Sequence, residues 1–221
     1  MTYLGIVNSV LKKLREQEAT SVADSTYTKL IGELVNDTLK EVQDAWYWSS
    51  LRTVVDVTTV ASTSSYTLTG TNDASVILDE ASFNLTNQNH MIKAPYKFVF
   101  RAYDVGNQQQ GSPLYYTTDG QTSSGELKIK VIPEPKSVET LRFYVKIPQG
   151  DLLTDGSDNS TEVVMNSRVI ILGAYYKALE ERGDNGTAII TKAEMEYSSA
   201  LSDQIAIDVG RYPGETTWQV D

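Results

Sequence analysis

The chain of 221 residues has no cysteine and a single histidine, His90. Without thiols it can form no disulfide, no zinc–thiolate site and no cysteine nucleophile. One histidine permits at most one His-based triad, and no Gly-x-Ser-x-Gly elbow exists to complete it; a lone His in the polar loop "NQNHMIKAP" reads as an exposed side chain. Gly-x-Gly-x-x-Gly and Gly-x-x-x-x-Gly-Lys-Ser/Thr loops are also lacking, so nothing supports nucleotide binding by a known loop. Basic charge is scarce: 19 Lys and Arg stand against 29 Asp and Glu, for a net charge of -10. Such a chain is a poor gripper of phosphate, although nucleic acid could still pass it without sticking. No apolar run approaches a membrane span, and residues 1–20 lack the apolar centre and cleavage-type ending of a secretory signal. A cytosol is the expected place of synthesis.

What is present changes period along the chain. Residues 3–16 place Ile6, Val7, Val10, Leu11 and Leu14 on one helical stripe, and Tyr27, Leu30, Ile31, Leu34, Thr38 and Val42 continue the same spacing to about Trp48. Asp24 or Ser25 is placed to cap this second helix. At Leu51 β-branched residues take over, and "LRTVVDVTTV", "SYTLT", "KFVFRAYD", "PLYYTT", "GELKIKVI" and "ETLRFYVKI" read as strands between Ser/Thr/Gly turns. Helical spacing returns over residues 164–182 and 187–208, in the latter with Ala188, Ile189, Ala193, Tyr197, Leu201 and Ile205 beside acidic Glu194, Glu196, Asp203 and Asp208. The final "GRYPGETTWQVD" has no period and is expected to be an extended tail.

This order predicts an α+β fold. Residues 1–50 and 151–209 form a discontinuous four-helix bundle from two helix pairs, and residues 51–150 an inserted antiparallel β-barrel or sandwich. Residues 210–221 are a C-terminal tail. The aromatic stretch "AWYWSSLR" puts Trp46 and Trp48 at the domain junction, where they are expected to pack between the two parts. Charge is uneven: residues 151–221 carry 5 basic and 13 acidic groups, net -8, whereas residues 50–150 carry 9 of each.

One stretch resembles a metal loop. In "DLLTDGSDNSTE", Asp151, Asp155, Asn159 and Glu162 fall on ligand positions of a calcium-binding loop, with Gly156 at its turn. Leu153 occupies a position that should offer oxygen, and a strand rather than a helix precedes the loop, so the letters read better as a polar connection. Asn159, Ser160 or Thr161 is then placed to cap the third helix of the bundle.

Trp46 and Trp48 ending the second helix are followed by Gly111, Pro113 and Tyr116 in a G-x-P-x-x-Y strand. Next come the strand from Leu127 to Pro135, Tyr144 to Pro148 in a Y-x-x-x-P strand, and the closing pair "VIILGAYYKALEERGD" and "AEMEYSSAL". In this order the motifs resemble the head-to-tail adaptor (tail tubular, or gatekeeper) proteins of short-tailed bacteriophages. The resemblance implies a non-enzymatic virion protein, assembled in the host cytoplasm, that forms a dodecameric ring between the portal protein and the tail nozzle or tube. DNA would pass through its lumen without sequence-specific binding, and neither a cofactor nor a membrane is implied. Tyr212 and Trp218, aromatic anchors on the tail, are the expected partner-binding residues. A β-domain that binds carbohydrate or another surface ligand in a phage tail is the alternative reading, with a cell-wall glycosidase after it.

Overall fold

Helices flank the strands in chain order: α1 (Tyr3–Lys13), α2 (Thr26–Ala45), a 3₁₀ turn (Ser49–Leu51), β1 (Arg52–Thr58), β2 (Ser65–Thr67), β3 (Val76–Asn84), β4 (Asn89–His90), β5 (Ile92–Lys93), α3 (Tyr96–Asp104), β6 (Gln110–Gly111), β7 (Tyr115–Gln121), β8 (Leu127–Ile132), β9 (Glu134–Pro135), β10 (Thr140–Lys146), α4 (Ser167–Arg182) and α5 (Thr187–Arg211). The computed structural model describes residues 1–104, 109–183 and 186–211. It is mixed α+β, and the chain divides into two units: residues 51–148, and residues 1–50 together with the chain from 149 onward.

In the helical unit, local chemistry sets the ends of each helix. Thr2 caps α1, its side chain accepting from the Gly5 N–H. The helix closes with Arg15 in the left-handed region at φ 61°, where Glu16 N–H donates to the Leu11 carbonyl and Arg15 N–H to that of Lys12. Ser25 caps α2 through a reciprocal box with Thr28, while Asp24 instead accepts from the N–H groups of Thr20 and Ser21. The cap of α4 is Asn166, accepting from Arg168 N–H at 2.9 Å, not Asn159, Ser160 or Thr161. Asn159 is engaged elsewhere: its oxygen accepts from Val22 N–H and its amide donates to Ser21 Oγ. At the other end, α5 runs through Gly210 to Arg211, one turn beyond where helical spacing was read to stop.

Helix α4 packs against α1, α2 and α5, and α1 also packs against α2. The apolar stripes read from the sequence supply many of the contacts: Ile6, Val7, Val10, Ile31 and Ile170 are fully buried, and so is Val35, which the reading of the second helix left out in favour of Leu34. Gly173 marks the closest approach; a Cβ there would lie 2.5 Å from Thr38 Cγ2 and 2.9 Å from the Tyr197 ring. The chain returning at residues 149–152 is sewn onto α2 by two side-chain amides. Asn36 accepts from Leu152 N–H and donates to its carbonyl at 3.1 and 2.8 Å, and Gln43 does the same for Gln149. These polar residues are buried because they substitute for the backbone partners the returning segment lacks.

The β unit holds a sheet of order β1-β10-β3-β4, another of order β2-β8-β7-β5, and a two-stranded β6-β9 pair. Val57, Ile77, Leu141, Phe143 and Val145 of the first sheet share one core with Tyr116, Leu127, Ile129 and Val131 of the second. The Tyr116 and Phe143 rings meet edge-on at 5.2 Å between centroids. Alternation along β8 follows the letters: Leu127, Ile129 and Val131 are buried and the residues between them half-buried. The sheets do not close into a barrel, and β5–β7 and β6–β9 pair parallel, so the unit is not purely antiparallel.

One assignment from the sequence needs correction, and one strand goes unread in it. "KFVFRAYD" forms helix α3 rather than a strand. Its aromatic and β-branched residues suit a strand, but Pro95 accepts the first helical bonds from Phe98 and Val99, and the Tyr96 and Phe100 rings, one turn apart, stack at 3.9 Å. Strand β3, the longest at 9 residues, carries no clean alternation; its register against β10 shifts between Phe143 and Val145, a bulge that breaks the period.

Candidate interaction site

The aromatic stretch that ends α2 resolves into residues with different roles. Trp48 is 3% exposed, and its indole N–H donates to the Val42 carbonyl at 2.5 Å, one of the orphan acceptors of the α2 C-terminus. Trp46 and Tyr47 are 37% and 57% exposed. Of the two junction tryptophans, then, Trp48 is built into the helical unit and Trp46 presents part of its ring outward.

Directly after Trp48, Ser49 meets the far end of the chain. Its N–H and hydroxyl donate to the two carboxylate oxygens of Asp208 at 3.1 and 2.6 Å. Asp208 is 4% exposed and belongs to the buried stripe of α5 with Ala193, Tyr197 and Ala200. Sequence reasoning missed it, although the signal was there: counting from Ala193 at helical spacing reaches position 208. The carboxylate holds the last turn of α5, and with it the root of the tail, beside the start of the 3₁₀ turn. Tyr212 and Trp218, the partner-binding candidates on that tail, lie outside the described residues.

The loop resembling a calcium site is dispersed. Asp151 pairs with Lys40 at 2.8 Å, Asp155 accepts from the Ser157 N–H and hydroxyl, and Asn159 is held by Ser21 and Val22. Those bonds from Ser157 hold the Asp155 carboxyl below its usual range. Glu162 enters through its backbone, bridging to Thr2 and accepting from Gln149. Among the described residues, no group of three or more His, Asp or Glu is arranged to hold a metal ion. A second buried carboxylate among the described residues, Glu139, accepts from Asn84, Asn87 and Ser112 and so ties segments of the β unit together. His90 is exposed on β4, its ring 4.1 Å from that of Phe83.

A second surface lies in the β unit. Ile92, Tyr96, Phe98 and Leu114 are each 41–57% exposed. Ile92 N–H donates to the Leu114 carbonyl, and Phe98 meets Tyr115, the residue after Leu114, edge-on at 5.6 Å. Lys97 and Arg101 stand exposed on the same helix. An exposed apolar cluster rimmed by charge is the usual mark of a protein-contact face. No described helix is long and apolar enough to cross a membrane.

Residues 1–219 match the family model described as "SU10 adaptor protein". No curated protein matches the chain.

Proposed function

Since the chain belongs to the SU10 adaptor protein family, a structural phage adaptor of the virion, we propose that it is the ring-forming connector between head and tail. The match over residues 1–219 carries this reading. In it, the four helices α1, α2, α4 and α5 act as one bundle that assembles a dodecameric ring on the portal protein. The β unit reaches the tail nozzle or tube of a short-tailed particle, and DNA passes through the hole.

Three physical features support the reading. Both buried carboxylates described above are spent on structural hydrogen bonds, which leaves neither poised for acid–base work. The net charge of -10 suits a lumen that must let phosphate slide past without holding it. The chain offers separate surfaces for separate partners: the patch around Phe98 in one unit, and in the other the C-terminal segment as a docking arm rooted at Asp208. Ile92 and Leu114 make the Phe98 patch a better seat for protein than for a sugar ring, which stacks on flat aromatic faces.

The test is to add purified protein to portal-bearing capsids that lack it and to image the complex. A ring seated on the portal is expected, with the arm-deleted chain (residues 1–211) attaching at least tenfold more weakly. Specific glycan binding by a monomer that ignores the capsids would replace this reading with the carbohydrate one.

A further inference from the structure

Between α4 and α5, with Lys13 of α1 on its rim, runs an open groove of ≈ 790 Å³. Ile171 and Leu172 line it from α4, and Met195, 66% exposed, from α5. Three cations, Lys13, Arg168 and Lys192, stand there against one carboxylate, Glu196, which is 3.8 Å from Lys192. Lys13 and Arg168 enter no ion pair among the described residues. In a chain of net charge -10, such a groove favours an acidic occupant.

Helix α2 carries the matching surface. Glu33, Asp37 and Asp44 are exposed on one face of it and enter no ion pair among the described residues. Glu41, at the edge of that face, pairs with Lys177 of its own chain at 3.0 Å. The spacing of the two sets agrees. Helices α4 and α5 pack together across a short connection and so run antiparallel, which puts Lys192 level with residue 177 of α4. Lys13 stands over the Tyr175 ring, 5.4 Å from its centre. Measured along α4 from Arg168, Lys13 is then about 10 Å away and Lys192 about 14 Å. Measured along α2 from Asp44, Asp37 is about 10 Å away and Glu33 about 17 Å. Lys40, the one cation within that stretch, falls about 6 Å from Asp44, near the level of Glu196 at about 8 Å. Turning the helix round, with Asp37 at Arg168, leaves Glu33 beyond the groove.

We propose that this groove seats α2 of a second copy of the chain, laid antiparallel to α4. Asp44 then lies at Arg168, Asp37 at Lys13 and Glu33 at Lys192, and the incoming helix covers Met195. The contact rests on the ring reading of the proposed function and supplies an interface between its subunits. It is heterologous, because two grooves set face to face would oppose cation to cation. A groove-to-α2 contact instead leaves each copy one groove and one α2 to offer, and repeats until the ring closes.

The absence of cysteine lets the contact be trapped between full-length chains. A chain carrying Asp44→Cys is mixed at high concentration with one carrying Ser199→Cys, which lines the groove near Arg168, or Ser198→Cys, which does not line it. The mixed disulfide should form at least tenfold faster at Ser199→Cys than at Ser198→Cys, and at least tenfold faster than Glu33→Cys forms one with Ser199→Cys. Adding Lys13→Glu and Lys192→Glu to the groove chain should remove the preference. Adding Glu33→Lys and Asp37→Lys to the α2 chain should then restore it, which misfolding could not do. Equal rates at the two serine positions, indifference to the groove reversal, or failure of the second reversal to restore the preference would overturn the proposal. A product dominated by Ser199→Cys chains joined to each other would also overturn it, by showing that the groove pairs with itself. Attachment to portal-bearing capsids is read separately, so chains that attach without this contact leave the adaptor reading standing. Chains that form the contact yet ignore the capsids sink that reading and keep the interface.

Discussion

Ser49 and Asp208, 159 positions apart, are joined by two hydrogen bonds, one from the Ser49 backbone and one from its hydroxyl. The pair fixes the end of α5 at the place where the chain leaves α2. It is a charge-assisted contact at a residue only 4% exposed, the setting in which such bonds count most. Asp208→Ala strands the half-buried Ser49 N–H and should lower the stability of the helical unit by about 2–3 kcal/mol, with Ser49→Ala costing about 1 kcal/mol. Urea unfolding followed at 222 nm measures both; unchanged midpoints would show that the tie contributes nothing.

The two tryptophans should separate cleanly. Trp48→Ala empties a buried site and breaks the bond to Val42, for a loss of about 3–5 kcal/mol. Trp46→Ala removes a ring that is 37% exposed and should cost about 1 kcal/mol or less. If thermal melts of the two variants coincide, the difference in burial has no energetic meaning.

Gly173→Ala tests how closely α4 approaches its neighbours. Helix propensity alone favours Ala by about 1 kcal/mol. The methyl would clash with Thr38 and Tyr197, and overpacking of this kind costs about 1–3 kcal/mol, so the variant should melt lower, not higher.

Arg15→Gly should do the opposite. At φ 61° a side chain costs about 1 kcal/mol that glycine avoids, so the substitution raises the melting temperature by several degrees. Arg15→Ala keeps the strain and should give no such gain.

Asp24 supplies a pH dependence. Hydrogen bonds from Ser21 and Thr20 hold its carboxyl below the usual aspartate range. A depressed folded-state pKa contributes stability above the unfolded value, and that contribution disappears as pH falls through the folded value. Asp24→Asn should therefore melt below the parent protein at neutral pH, with the two curves converging under acid. A gap that stays constant down to low pH would rule out the carboxylate as its source.

Much of the architecture was legible from period alone. Helical spacing marks α1, α2, α4 and α5, and alternation marks β8, because each element buries one face against a partner and its letters record which face that is. Those patterns, with the missing thiols and the scarce cations, were enough for an α+β chain without thiol chemistry or a basic grip on DNA. Other features depend on neighbours distant in the sequence. The aromatic run of α3 suits a strand yet forms a helix in which two rings stack, and β3 owes its place to a bulged register with β10. Asp208 reads as one more surface acid until Ser49 arrives to satisfy it, and the candidate calcium ligands scatter because Lys40, Ser21 and Val22 claim them separately. A period reports only that a face is buried; which polar group stands opposite it is decided when distant segments meet, and burial then leaves each such group to find a partner or pay for its absence.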